Sequence, residues 1–111
     1  MKIPATLPKL IGTEKQVTWA ETIRGGMIKY IDVDDIKAAI INHCTGKPAK
    51  MEVLKKWTER NVKISNTWIE TKAAAAVSSI RNSSWFIDNR FDRQALYYLA
   101  EKTIERELGI A

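Results

Sequence analysis

The sequence predicts an all-α fold: one compact domain of about five helices, of the small orthogonal-bundle kind, with an extended arm over residues 1–12. Three observations lead there. Apolar residues recur every three or four positions through most of the chain, the period of a helix with one buried face. No long stretch alternates with the period of two that a half-buried strand requires. Glycine is scarce, five in 111 residues, and neither Asn-Gly nor Asp-Gly occurs, so the usual hairpin turns are missing. A chain of this length closes one core rather than two.

The elements follow in order. Residues 1–12 carry Pro4, Pro8 and Gly12 without helical periodicity, and Leu7, Leu10 and Ile11 are available to pack the arm onto the core. Thr13 opens the first helix. Its hydroxyl is placed to accept from the amide three residues on, and Gln16 to reach back to the Thr13 amide, the reciprocal capping box. Glu14 complements the dipole of that first turn. Val17, Ala20, Ile23 (or Arg24), Met27 and Ile31 fall on one stripe. Gly25-Gly26 interrupts the pattern; each glycine costs a helix interior about 1 kcal/mol against alanine, so the pair is expected to mark a kink, a break or a close backbone contact.

Asp32, Asp34 and Asp35 surround a second helix start, with Ile36, Ala39, Ile40 and Cys44 as its buried stripe and Gly46 as the residue past its end. Lys47-Pro48 opens a third helix over 48–61, with Met51, Leu54 and Trp57 facing inward and Val53 a further candidate. Ser65 or Asn66 caps a fourth helix through Ile80, buried along Ile69, Ala73, Ala76 and Ile80; the alanine tract from Ala73 to Ala76 lets a neighbouring helix come close. Asn82-Ser83-Ser84 breaks it. Asp92 is expected to cap the last helix, in which Leu96, Ala100, Ile104 and Leu108 repeat at intervals of four and which Gly109 ends.

Composition narrows the function. No apolar run approaches the roughly 18 residues that span a bilayer, and no secretory signal is read at the start. The single cysteine, Cys44, suits a reducing compartment, so the expected location is the cytoplasm of a bacterial host cell. His43 and Cys44 are the one histidine and the one cysteine. As helix neighbours they point about 100° apart and do not form a nucleophile–base pair, and they cannot supply the four ligands of a zinc site. The aspartate cluster at 32–35 is accounted for by helix capping. No phosphate-cradling glycine loop or acid–base constellation occurs, so the chain is read as non-enzymatic, with no catalytic residue, metal or cofactor.

A net charge of +5 and a pI near 9.4 favour a polyanionic partner. The basic residues concentrate in one segment, Lys47, Lys50, Lys55, Lys56, Arg60 and Lys63, against Glu52 and Glu59. Lys56, Arg60 and Lys63 share a helix face that could follow a phosphate backbone, although Glu52–Lys56 also reads as an ordinary surface pair. Arg90 and Arg93 lie among Trp85, Phe86 and Phe91, where aromatic and guanidinium planes could stack on unpaired bases. The competing reading buries Trp85, Ile87 and Phe91, pairs Asp88 with Arg90 or with the last helix's N-terminus, and gives Asn89 the turn. A helix-turn-helix over 33–61 would carry Lys50 and Lys55 toward DNA, but Pro48, Ala49 and Met51 offer no base-reading side chains.

The strings Gly12-Thr13-Glu14-Lys15-Gln16-Val17-Thr18-Trp19-Ala20-Glu21-Thr22-Ile23-Arg24 and Ser84-Trp85-Phe86-Ile87-Asp88-Asn89-Arg90 are the most specific in the chain. Together they resemble a family of small bacteriophage and mobile-element proteins. In that family a GSEKQ-x-x-WAE-x-IR start is followed, after a variable middle, by a WWIDNR-like segment. Asp88 and Arg90 match that pattern, Trp85-Phe86 replaces its usual aromatic pair with a close equivalent, and the Gly25-Gly26 interruption departs from it. The resemblance implies a phage or mobile-element setting and no particular activity or residue role.

Two functions are expected on these grounds. The first is a nucleic-acid-binding accessory protein of low sequence specificity, contacting DNA or RNA. The second is a protein-interaction module, such as a modulator of a host or defence enzyme, with Trp19, Trp57, Trp68, Tyr97 and Tyr98 as candidate anchors. A homodimer through the last helix is a variant of the second.

Overall fold

The computed structural model describes residues 7–59 and 65–111. Among these the chain forms six helices: α1 (Glu14–Ile28), α2 (Val33–Cys44), α3 (Pro48–Glu59), α4 (Asn66–Ser79), α5 (Ser83–Asp88) and α6 (Ala95–Leu108). α6 packs against α1, α2, α3 and α4, α2 packs against α3 and α4, and α5 packs against α1. The all-α expectation holds, with α5 as a short sixth helix where a break followed by a junction was expected. Asn82 creates it by accepting from the Ser84 amide at 3.0 Å as its N-cap.

Local chemistry sets most helix ends. At α1 the capping box is complete: Gln16 N donates to Thr13 Oγ1 at 3.2 Å and Thr13 N to Gln16 Oε1 at 3.0 Å. Asp32 Oδ1 accepts from the amides of Asp34 and Asp35 at α2, and Ser65 Oγ from Trp68 N at α4. At the end of α6 Gly109 takes a left-handed φ of 77°, and the Ile110 amide turns back to the Glu105 carbonyl at 3.0 Å. The start of α6 differs from expectation. Asp92 accepts from the Gln94 amide at 3.1 Å and so holds the turn before the helix, while Gln94 is the N-cap and makes no side-chain cap bond.

One hydrophobic cluster joins α1, α2, α4, α5 and α6, with Leu10, Ile31 and Ile110 from the connecting segments; Val53, Leu54 and Trp57 of α3 pack against it half-buried. Leu96, Ala100, Ile104 and Leu108 are all buried, as their spacing requires. Ala73 and Ala76 are buried along the α4 face where α4 packs against α6. Trp57 Nε1 donates to the Leu108 carbonyl at 2.9 Å and its ring meets Trp68 at 6.1 Å, tying α3 and α4 to the end of α6. Met51, expected inside, is 42% exposed. The inward stripe of α3 is instead Lys50, Val53, Leu54 and Trp57, one helical position away.

α1 runs through Gly25-Gly26 without a break, and a Cβ on either glycine would meet nothing within 4 Å. Neither a break nor a close contact explains the pair. Burial of Ala20, Arg24, Met27 and Ile28 holds the helix on both sides. One fully buried side chain of the Met or Ile kind contributes about 1.5–3 kcal/mol, enough to outweigh either glycine.

The N-terminal segment docks mainly through its backbone. Ile11 N donates to Arg81 O at 2.7 Å and Ser83 N to Ile11 O at 3.0 Å, an isolated parallel bridge between Ile11 and Asn82. Leu10 is buried beside this bridge, but the Ile11 side chain, expected to pack inward, is 64% exposed. Buried Arg24 secures the arm from below, its Nη1 donating to Pro8 O at 3.0 Å. Gly12 is the tight point: an added Cβ would stand 2.9 Å from Ser83 Oγ and 3.2 Å from Ser83 Cβ.

These environments give opposite expectations for two substitutions. Gly12→Ala should destabilise by about 1–3 kcal/mol, through contact with Ser83 and an unfavourable φ. Gly25→Ala should stabilise by up to about 1 kcal/mol. Urea denaturation of the two variants beside the wild type checks both signs.

Candidate aromatic–arginine surface

Because the Ile11–Asn82 bridge sets the start of α1 beside the start of α5, the two most specific strings of the sequence lie against each other. α1 presents Trp19 and α5 leads into Arg90. The Arg90 guanidinium lies 5.3 Å from the centre of the Trp19 ring and 4.5 Å from that of Phe91. Its Nη1 donates to the Ile87 carbonyl at 2.7 Å, and Asn89 Nδ2 closes the same turn onto the Trp85 carbonyl at 2.7 Å. The guanidinium is thus held in place yet exposed, with its charge available. Trp19 is 49% exposed and Phe91 87%.

One of the two sequence readings places Phe91 in the core. Phe86 takes that place, fully buried and edge-on to half-buried Trp85 at 5.1 Å. The reason is helical geometry: in so short a helix only one direction faces α1, and Phe86 occupies it, while Phe91 falls beyond the helix end in the turn to α6.

Beside this stack runs a groove of about 200 Å³, lined by Ile23, Gly26, Met27, Tyr30, Arg90 and Arg93. Arg93 Nη1 donates to Tyr30 Oη at 3.1 Å, which fixes one wall. Neither Arg90 nor Arg93 forms an ion pair with a described residue. Two guanidiniums, three exposed aromatic rings and an exposed glycine therefore share one face.

The basic segment of α3 is arranged differently. Lys47, Lys55 and Lys56 are exposed. Lys50 is half-buried, with Nζ 2.9 Å from His43 Nε2, and that same ring nitrogen stands 2.8 Å from the Ile110 carbonyl. Lys50 therefore points away from where a helix-turn-helix would need it. Arg60 and Lys63 lie outside the described residues. α3 packs against α2 and α6, whereas Arg90 and Arg93 belong to the α1–α5 side, so the basic candidates divide into two groups. Of the expected anchors, Trp19 and Tyr98 face solvent; Trp57, Trp68 and Tyr97 are half-buried against the core.

The interior holds one further polar cluster, along α6 where it faces α2. Glu105 is 1% exposed. Lys102 Nζ comes within 3.5 Å of its Oε2, an ion-pair distance too long for a hydrogen bond, and that oxygen has no hydrogen-bond partner. Glu101 one turn before is pushed up, first by desolvation and then by the charge of Glu105 and a hydrogen bond with it. Tyr97 is pushed up to about 12 by burial, with Glu101 and Asp35 adding to the shift. Burial also pushes up the Cys44 thiol against the pull of Lys50 and Lys47, which leaves it a poor nucleophile. No group of three or more His, Cys, Asp or Glu among the described residues is arranged to hold a metal ion.

Two outcomes follow from these placements. Phe86→Ala should cost about 3–5 kcal/mol of stability, as for a fully buried phenylalanine, whereas Phe91→Ala should cost less than about 1 kcal/mol, the scale of an exposed cation–π contact; chemical denaturation separates them. A carboxyl held above its unfolded value contributes stability below that value and loses it as pH rises through its folded value. Glu101→Gln removes that loss, so its stability relative to the wild type should increase from about pH 4 to pH 7 in thermal melts.

No helix among the described residues is long and apolar enough to cross a membrane. No family model, curated protein or solved structure matches this chain.

Proposed function

We propose that this protein binds nucleic acid without enzymatic activity and with low sequence specificity, as an accessory protein of a phage or mobile element. The observation that carries this reading is the Arg90 guanidinium held against exposed Trp19 and Phe91, with Arg93 alongside. Aromatic faces and guanidinium planes take bases of any identity, because every base has a π face, and unpaired cations attract phosphate. The net charge of +5 supports the same partner, and exposed Lys47, Lys55 and Lys56 add a second basic region. The resemblance of the two packed strings to phage and mobile-element proteins supplies the setting.

A protein partner is the second reading, favoured by residue type: Trp, Tyr and Arg, gathered here as Trp19, Tyr30, Arg90 and Arg93, are the anchors that dominate protein interfaces. A host or defence enzyme, or a second copy of this chain through exposed Tyr98 of α6, would be such a partner.

Fluorescence-anisotropy titration of nuclease-treated protein with labelled DNA separates the two. Affinity should fall roughly tenfold between about 50 and 200 mM salt, the scale expected when a few phosphates are neutralised. Arg90→Ala with Arg93→Ala should weaken binding further than the triple substitution of Lys47, Lys55 and Lys56 by Ala. Absence of binding at the lower salt excludes nucleic acid and leaves the protein partner.

A further inference from the structure

Gly25 and Gly26 weaken α1 by about 1 kcal/mol each relative to alanine, and the fold makes no use of them. Neither has a positive φ, and a Cβ at either position would meet open space. Gly26 is exposed, and it lines the groove together with Ile23, Met27, Tyr30, Arg90 and Arg93. A side chain there would not collide with this protein; it would fill the groove. The missing side chain has its effect on whatever enters from outside.

The groove's dimensions limit the occupant. About 200 Å³ is less than the roughly 300–1,000 Å³ of a small-molecule site, and suits one flat ring better than a whole ligand. Ile23 and Met27 offer apolar contact, the half-exposed Tyr30 ring offers a face, and Arg90 and Arg93 put two cations at the rim. A flat ring with negative charge on each side of it is the chemistry of a nucleotide within a strand. In a duplex both faces of that ring are covered by neighbours and its edge is paired, so only an unpaired base can lie against the exposed glycine.

We propose that the groove over Gly26 seats one unpaired nucleobase against Tyr30, with Arg90 and Arg93 on the flanking phosphates, so that this protein selects single-stranded over duplex nucleic acid. The proposal rests on the nucleic-acid reading above and narrows it.

The test titrates short labelled oligo(dT) and a duplex of equal length with the wild type, Gly26→Leu and Gly25→Ala. Leucine is a good helix former, so Gly26→Leu should fold, which circular dichroism and a thermal melt check. The expected result is tighter binding of the single strand by the wild type, a loss on the order of tenfold for it in Gly26→Leu, and no change in Gly25→Ala; base stacking carries energies of that scale. Oligo(dT) binding that Gly26→Leu leaves intact overturns the inference while the nucleic-acid reading stands, and so does equal affinity for strand and duplex. No binding of either probe overturns both. Loss in Gly26→Leu of a protein partner that the wild type retains, with no DNA binding by either, overturns it in favour of an aromatic side chain in the groove.

Discussion

The backbone bridge between Ile11 and Asn82 is the constraint on which the described surface depends. It is short, two hydrogen bonds, but it joins the segment that enters α1 to the segment that enters α5. Both helices are capped within two residues of it by side chains, Thr13 on one and Asn82 on the other. The direction of each helix is therefore fixed where the chain is pinned. Gly12 allows the approach because a larger residue would meet Ser83, whose buried hydroxyl has no hydrogen-bond partner of its own. Arg24 makes the arrangement rigid from the other side, holding Pro8 while sitting on the buried face of α1. Its side chain stays beneath the arm, where burial lowers the guanidinium's affinity for its proton while Glu21 partly restores it.

From that junction the aromatic–arginine face follows. α5 spends its one inward direction on Phe86, and the chain then turns through Asn89 and Arg90 toward α6. The turn itself orders the arginine, since the Ile87 carbonyl at the helix end accepts from both its amide, at 3.3 Å, and its guanidinium, at 2.7 Å. Trp19 and Phe91 then confine a guanidinium that already has little freedom. Fixing a long cationic side chain before binding removes part of the entropy that a partner would otherwise have to offset, which is why such a group is more useful than a free surface lysine. Lys47, just before α3, and Lys55 and Lys56 of α3 contrast with it: they are exposed, and Lys47 and Lys56 lie against no aromatic ring among the described residues.

The polar groups between α2, α3 and α6 show a second economy. Lys50 occupies the inward stripe of α3 with its Nζ 2.9 Å from His43 Nε2, the ring nitrogen that also stands 2.8 Å from the Ile110 carbonyl. Glu101 and Glu105 share a poorly solvated strip of α6 with Tyr97. Burial first, and then the neighbouring Glu105 carboxylate, hold the Glu101 carboxyl above its ordinary range, so the strip loses stability as pH rises. The cluster lies inside the bundle and is separate from the groove over Gly26.

The sequence by itself determined the helical class, the starts of α1 to α4, the end of α6 and most of the core stripes of α1, α2, α4 and α6. These are written locally: a cap and its partner lie three residues apart, and a buried stripe repeats every three or four, so each can be read without knowing its neighbour. Tertiary structure decided the rest. Met51 and Lys50 differ by one position on α3, and only the placement of α2 and α6 selects Lys50 to face inward. Phe86 and Phe91 are equally apolar, and only the direction of α5 against α1 buries the first and exposes the second. Gly25-Gly26 reads as a break by propensity, but burial on either side keeps the helix whole. The candidate surface was legible only in pieces, with Arg90 and Arg93 named and Trp19, Gly26 and Tyr30 not joined to them. A site assembled from α1, α5 and the turn before α6 has no sequence period, because its parts meet only after the chain has folded back on itself at Ile11 and Asn82.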